Sequence, residues 1–106
     1  MADEIANKDL VTKLKAKLHI FHSIEDDRLE SMIEESRQAV YENTGVNDLG
    51  NINYVELVLE RCRYSYNDSL EYFESNFEAN LLGLSFANYS KEGVSDALPT
   101  TDNQIE

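Results

Sequence analysis

No proline interrupts this chain until Pro99, and only four glycines occur in its 106 residues. Proline and glycine stop helices and build the turns of β folds. A chain poor in both and rich in Leu, Glu, Ala and Lys favours helices over a turn-rich β architecture. Its length is that of one ordinary domain, which buries roughly 60–70% of the unfolded chain's surface. That supports one modest core, with little left for a deep enclosed pocket. The expected fold class is all-α: a small helical bundle of three to four helices with a flexible C-terminal tail.

Apolar spacing places the helices. Leu10, Val11, Leu14 and Leu18 form a 3.6-residue stripe over 8–19, opposite lysines 8, 13, 15 and 17. Ile20 and Phe21 carry that apolar face into a turn. Ser23, with Asp26 three residues on, is a candidate cap for a second helix over about 25–43. Glu25, Asp26 and Asp27 would sit in its first turn, where the helix dipole favours negative charge. Its buried stripe is Leu29, Met32, Ile33, Ser36 and Val40, and Gly45 is a plausible left-handed stop. A loop over 44–52 leads to a third helix starting near Ile52 or Asn53, with Val55, Val58, Leu59, Cys62 and Tyr66 on one face. Asn67, Asp68 and Ser69 either cap a fresh helix or lie within a continuing one. Leu70, Phe73, Phe77, Leu81 and Leu84 then recur at three, four, four and three residues, a heptad-like seam. The seam reads either as core packing or as a stripe that also meets a neighbouring subunit. From Ala87 the pattern stops. The expected division is a helical domain over 1–86 and a polar, acidic tail over 87–106, idle or folding on a partner.

Charge narrows the partners. Twenty-one acids against nine bases give a net charge of −12. Such a field repels nucleic acid and anionic membrane surfaces. It permits a basic protein partner, or a surface past which DNA slides without sticking. One cysteine, Cys62, allows no internal disulfide and fits a reducing compartment. The opening MADEIANKDL lacks the apolar core of a signal peptide, and no apolar run is long enough to cross a bilayer. A cytoplasmic origin is expected, with export only as part of an assembly.

Three constellations invite chemistry. GNINYVELV, residues 50–58, resembles the second half of an EF-hand loop, with Gly50 at loop position 6, Ile52 at 8 and Glu56 at 12. The first half fails: Gly45 and Leu49 stand where acids belong, and only Asn47 offers an oxygen. His19, His22 and Cys62 supply three soft atoms without a fourth ligand at zinc spacing. The many carboxylate pairs between Glu25 and Glu35 read as a solvated, ionised helix face. No nucleophile elbow or glycine-rich phosphate loop occurs, so neither catalysis, a cofactor nor a metal is expected. Tyr64, Tyr66 and Tyr72 with Phe73 and Phe77 around Arg61 and Arg63 carry the residue types enriched in protein interfaces, or else cover the edge of the core.

Three stretches carry a family resemblance: LVTKLKAKLHIFHSIEDDRLESMIEESRQAVYENTG, ERCRYSYND and LEYFESNFEANLLGLSF. In order, spacing and length, over roughly residues 9–86, the chain resembles the small head–tail connector (adaptor, or head-completion) proteins of long-tailed bacteriophages. The resemblance implies a helical bundle that assembles into a ring, usually of twelve copies, beneath the portal protein of the capsid. It implies no enzymatic activity. Such a ring extends the DNA channel, lets double-stranded DNA pass without specific binding, and docks a stopper or tail-completion protein. The location implied is the neck of the virion, with assembly in the host cytoplasm. Whether an isolated copy is a monomer stays open. The assembly residues expected on this reading are Tyr66, Phe73, Phe77, Leu81, Leu84 and Phe86, with the tail ordering on the portal. Lysines of the first helix would meet acids of the second helix on the next copy. The alternatives are a degenerate EF-hand-like regulatory module and a small acidic inhibitor that mimics nucleic acid.

Overall fold

A computed structural model describes the backbone of residues 2–93 and the side chains of residues 7–89. The remainder of the expected tail, residues 94–106, lies outside the described residues. The described chain is all-α and contains no strand: α1 (Ala2–Leu18), α2 (Asp26–Thr44), α3 (Ile52–Tyr66), a 3₁₀ turn (Leu70–Tyr72), α4 (Phe73–Asn76) and α5 (Glu78–Gly93). Three to four helices is thus only a rough match. One long C-terminal helix is replaced by a tight turn, a single helical turn and α5. Residues 87–93, expected in the tail, belong to α5.

The long helix α2 organises the molecule, packing against α1, α3 and α5. Its stripe of Leu29, Met32, Ile33, Ser36 and Val40 is buried, as the spacing predicts, and Thr44 extends it. Leu10, Val11 and Leu14 of α1 meet it, as do Val58, Leu59 and Cys62 of α3 and Phe73, Leu81 and Leu84 from beyond the turn. Full burial of each large aliphatic contributes about 1.5–3 kcal/mol. Tyr54 and Leu57 join this core although the apolar reading of α3 passed over them. Tyr54 is enclosed because its hydroxyl has partners. It donates to Asn47 Oδ1 (2.9 Å) and accepts from Arg37 Nε (3.2 Å). Arg37 also donates to Asn7 Oδ1 (2.9 Å) and Asn47 Oδ1 (2.9 Å), so one guanidinium ties α1, α2 and the α2–α3 loop to α3.

Helix ends follow local chemistry, with two departures from the sequence reading. Ser23 does not cap α2 with its side chain. Glu25 is the N-cap without a side-chain cap bond, and Ser23 contributes only its carbonyl, 3.3 Å from the Asp26 N–H. The α1–α2 connection is set earlier, where His19 adopts φ 60° and the Ile20 N–H reaches back to the Lys15 carbonyl (2.9 Å). That is a Schellman ending with a non-glycine residue in the left-handed position. It turns Ile20 into the core but leaves Phe21 almost fully exposed, contrary to the expected continuation of the face. Asp68 repeats the device at the end of α3: φ is 57° and the Ser69 N–H donates to the Tyr64 carbonyl (2.9 Å). The 67–69 segment therefore ends α3, and Ser69 stands at the N-cap of the following 3₁₀ turn without a side-chain cap bond. At Gly45 the predicted stop holds, with φ 77° and its N–H on the Tyr41 carbonyl (2.7 Å). Asn51 caps α3, its Oδ1 accepting from the Asn53 (3.0 Å) and Tyr54 (3.2 Å) N–H groups.

Candidate protein-binding surface

The six expected assembly residues fall into three environments. Phe73, Leu81 and Leu84 are buried in the core. Phe77 and Tyr66 are half-buried and packed against it. Phe86 alone points outward, 63% exposed. The seam is interrupted because its residues are divided among the 3₁₀ turn, α4, the α4–α5 junction at Phe77 and α5, which pack onto α2 and α3. Its aromatic members are mutually satisfied. Phe73 and Phe77 stack with centroids 5.0 Å apart, and Tyr64 meets both edge-on at 5.8 and 5.7 Å. Such pairs add about 0.5–1.5 kcal/mol beyond burial. Arg63 lies 5.3 Å from the Tyr64 ring centroid, and Asn76 donates to the Tyr64 hydroxyl (3.0 Å).

Tyr66 is engaged at the opposite end. Its hydroxyl donates to Glu25 Oε2 (3.0 Å), while Arg28 holds Oε1 (2.7 Å) and lies 5.1 Å from the Tyr66 ring centroid. The Tyr66 hydroxyl, with help from Arg28, holds the Glu25 carboxyl below the usual glutamate value, and the same bond raises the tyrosine. This clasp joins the start of α2 to the end of α3.

Two lysines of α1 also find partners on other helices of their own chain. Lys15 pairs with Asp26 of α2 at 2.8 Å. Lys17 pairs with Glu60 of α3 at 3.0 Å and approaches Glu56 at 3.8 Å. Burial alone would raise the Glu60 carboxyl, but Arg63 and Lys17 more than offset it and hold it low. Lys15 and Lys17 are therefore internal counter-charges for α2 and α3.

Neither metal constellation assembles. His19 and His22 lie in the exposed α1–α2 connection, with His22 Nδ1 accepting from the Ile24 N–H (3.3 Å). Cys62 is enclosed in the core, its thiol pushed up to about 11 by burial. In the 45–51 loop, Asn47 Oδ1 already accepts from Arg37 and Tyr54. Asp48 Oδ1 accepts from the Gly50 N–H (2.9 Å), and Asn51 caps α3. Among the described residues no group of three or more His, Cys, Asp or Glu side chains is placed to hold a metal ion. Within the same residues no helix is long and apolar enough to cross a membrane.

What remains uncovered is an outer ridge on α5. Leu82, Phe86 and Tyr89 are all exposed and recur at i, i+4 and i+7, one line along the helix. Phe21, Ile24, Ile52 and Tyr72 add large apolar groups elsewhere on the surface. Sequence reasoning named Phe86 but missed Leu82 and Tyr89. The signal was available as a second stripe beside Leu81 and Leu84, lost by ending the helix at residue 86. No protein-family model matches the chain, no curated protein matches it in sequence, and no solved structure matches its fold.

Proposed function

We propose that this protein is a non-enzymatic head–tail connector subunit of a long-tailed bacteriophage, acting as a scaffold in a ring beneath the portal. The observation that carries the reading is the α5 ridge of Leu82, Phe86 and Tyr89 on a fully helical body. An aligned apolar stripe on the outside of a small domain is a surface to be covered by protein. The order and spacing of the three stretches between residues 9 and 86 supply the family.

On this reading copies meet through apolar and aromatic groups, because Lys13, Lys15 and Lys17 of α1 are already paired within the chain. Of the expected assembly residues, Phe86 is the one carried forward as a contact, with Leu82 and Tyr89 beside it. The acidic remainder of the surface lines a DNA channel without gripping it, since each phosphate contact needs a cation. Ring contacts between copies are heterologous, and closure of the rotation ends the assembly. The portal and a stopper or tail-completion protein are the two further partners.

Native mass spectrometry of the chain alone, and mixed with the portal ring encoded by the same source genome, tests the reading. A portal particle carrying about a dozen added copies is the expected outcome. A well-formed portal that gains no mass removes the connector role.

A further inference from the structure

A groove of about 540 Å³ runs between the C-terminal end of α2 and the first turns of α5. Its apolar side is Leu81 and Leu82, and Glu71, Glu74 and Glu78 line its length. These three glutamates are exposed, and no ion pair to any of them occurs among the described residues. Arg61 shares a neighbouring hollow with Glu71 and Glu74 but gives its guanidinium to Ser36 Oγ (3.2 Å). The end of α2 adds to the same negative field. Asn43 lines the groove, and the last turn of that 19-residue helix carries no basic residue against its dipole. Three like charges, an uncompensated helix terminus and the apolar edge begun by Leu82 thus converge on one cleft.

We propose that this groove receives a cationic amphipathic segment of another protein, its apolar side chains on Leu81 and Leu82 and its lysines or arginines on the glutamates. Charge complementarity selects the occupant. A polyanion is repelled. A second copy brings a further net charge of −12, and most of its cations are engaged. Lys13, Lys15, Lys17, Arg28 and Arg63 sit in ion pairs of their own chain, and Arg37 and Arg61 bond neutral groups of the fold. The inference does not depend on ring formation: any protein presenting such a segment fits.

The test is fluorescence anisotropy of the full chain with a labelled synthetic amphipathic helix of leucine and lysine, about 18 residues or five turns long. Three variants change net charge by the same amount: Glu74→Lys and Glu78→Lys in the groove, and Asp9→Lys on α1, which contributes no residue to the groove lining. Groove reversals are expected to weaken binding about tenfold each, and Asp9→Lys less than about twofold. Leu82→Ser, at an exposed position that leaves the core intact, is expected to weaken it about fivefold. Equal losses from all three charge variants would reduce the effect to the general field of an acidic protein and overturn the proposal. So would absence of binding by the unmodified chain. Sedimentation velocity covers the remaining occupant: self-association that Glu74→Lys abolishes would give the groove to a second copy and also overturn it. Portal binding retained while the peptide fails sinks this inference alone.

Discussion

Two residues in the left-handed region make opposite demands. Gly45 has φ 77°, and a Cβ there would lie 2.8 Å from the side-chain amide nitrogen of Asn88. That amide approaches the Thr44 carbonyl (3.5 Å), so α5 is drawn against the end of α2 at this point. Alanine at Gly45 must accept the unfavourable φ and push Asn88 aside, at a cost of about 1–2 kcal/mol. His19 is the converse, holding φ 60° with a full side chain at an exposed helix end. Glycine there relieves the strain, and its larger unfolded-state entropy offsets part of the gain, leaving about 0.5–1 kcal/mol in favour of His19→Gly. Thermal unfolding followed by circular dichroism checks both signs. Gly45→Ala is expected to melt several degrees lower and His19→Gly a few degrees higher. An unchanged Gly45→Ala would mean that the α2–α3 loop relaxes without α5.

At the scale of elements, α1 is held by polar as well as apolar contacts, and Glu60 of α3 is the main polar one. Its Oε1 accepts from Arg63 Nε (3.0 Å) and Nη2 (2.7 Å), and its Oε2 from Lys17 Nζ (3.0 Å). The side chain is only 15% exposed, so these bonds are partly shielded from water. Glu60→Gln keeps the shape and loses the charge, at an expected cost of about 1–2 kcal/mol near neutral pH. The carboxyl is held below its ordinary value of 4.5 in the folded state. Its contribution is therefore present above about pH 4.5 and disappears as pH falls through the lower folded value. Urea midpoints of the two proteins should differ at pH 7 and converge in acid. A constant gap down to about pH 3 would assign the loss to packing instead.

The same contacts explain what was legible in the sequence. The α2 stripe could be read because one straight helix buries one face at fixed spacing. The seam after Leu70 could be read as core packing, and Phe73, Leu81 and Leu84 are buried, but its spacing carries no information about whether the backbone between the residues is one helix, and Phe77 ends α4 before α5 begins. Tyr54 was invisible as a core residue because its burial depends on Arg37 and Asn47, which arrive from other elements. Leu82 and Tyr89 went unseen beside Phe86 because the helix was ended at residue 86, which cut their stripe short, and the fold then shows that this stripe faces water.

For the whole molecule the balance of charge has two parts of opposite salt dependence. Attractive contacts are short: among the described residues five of the six ion pairs lie at 2.7–3.2 Å, several of them partly buried. Added salt screens partly buried contact pairs much less than exposed, separated charges. Repulsion comes from a net charge of −12 spread over a small domain. At separations beyond the first contact it is strong in dilute salt, where the Debye length is about 30 Å, and weak at 0.1 M, where it is about 10 Å. Raising salt from about 0.01 to 0.15 M should therefore remove more repulsion than attraction and stabilise the fold by about 1 kcal/mol, which for a chain of this size is roughly 4–8 °C in Tm. Sodium chloride is the salt to use, since sulfate and phosphate would also strengthen apolar burial. A Tm that falls with sodium chloride would show that the ion pairs of α1 outweigh the net charge. A second series with Glu60→Gln separates the terms. That variant lacks the best-shielded contact pair, so its Tm should rise with salt at least as steeply as that of the unmodified chain.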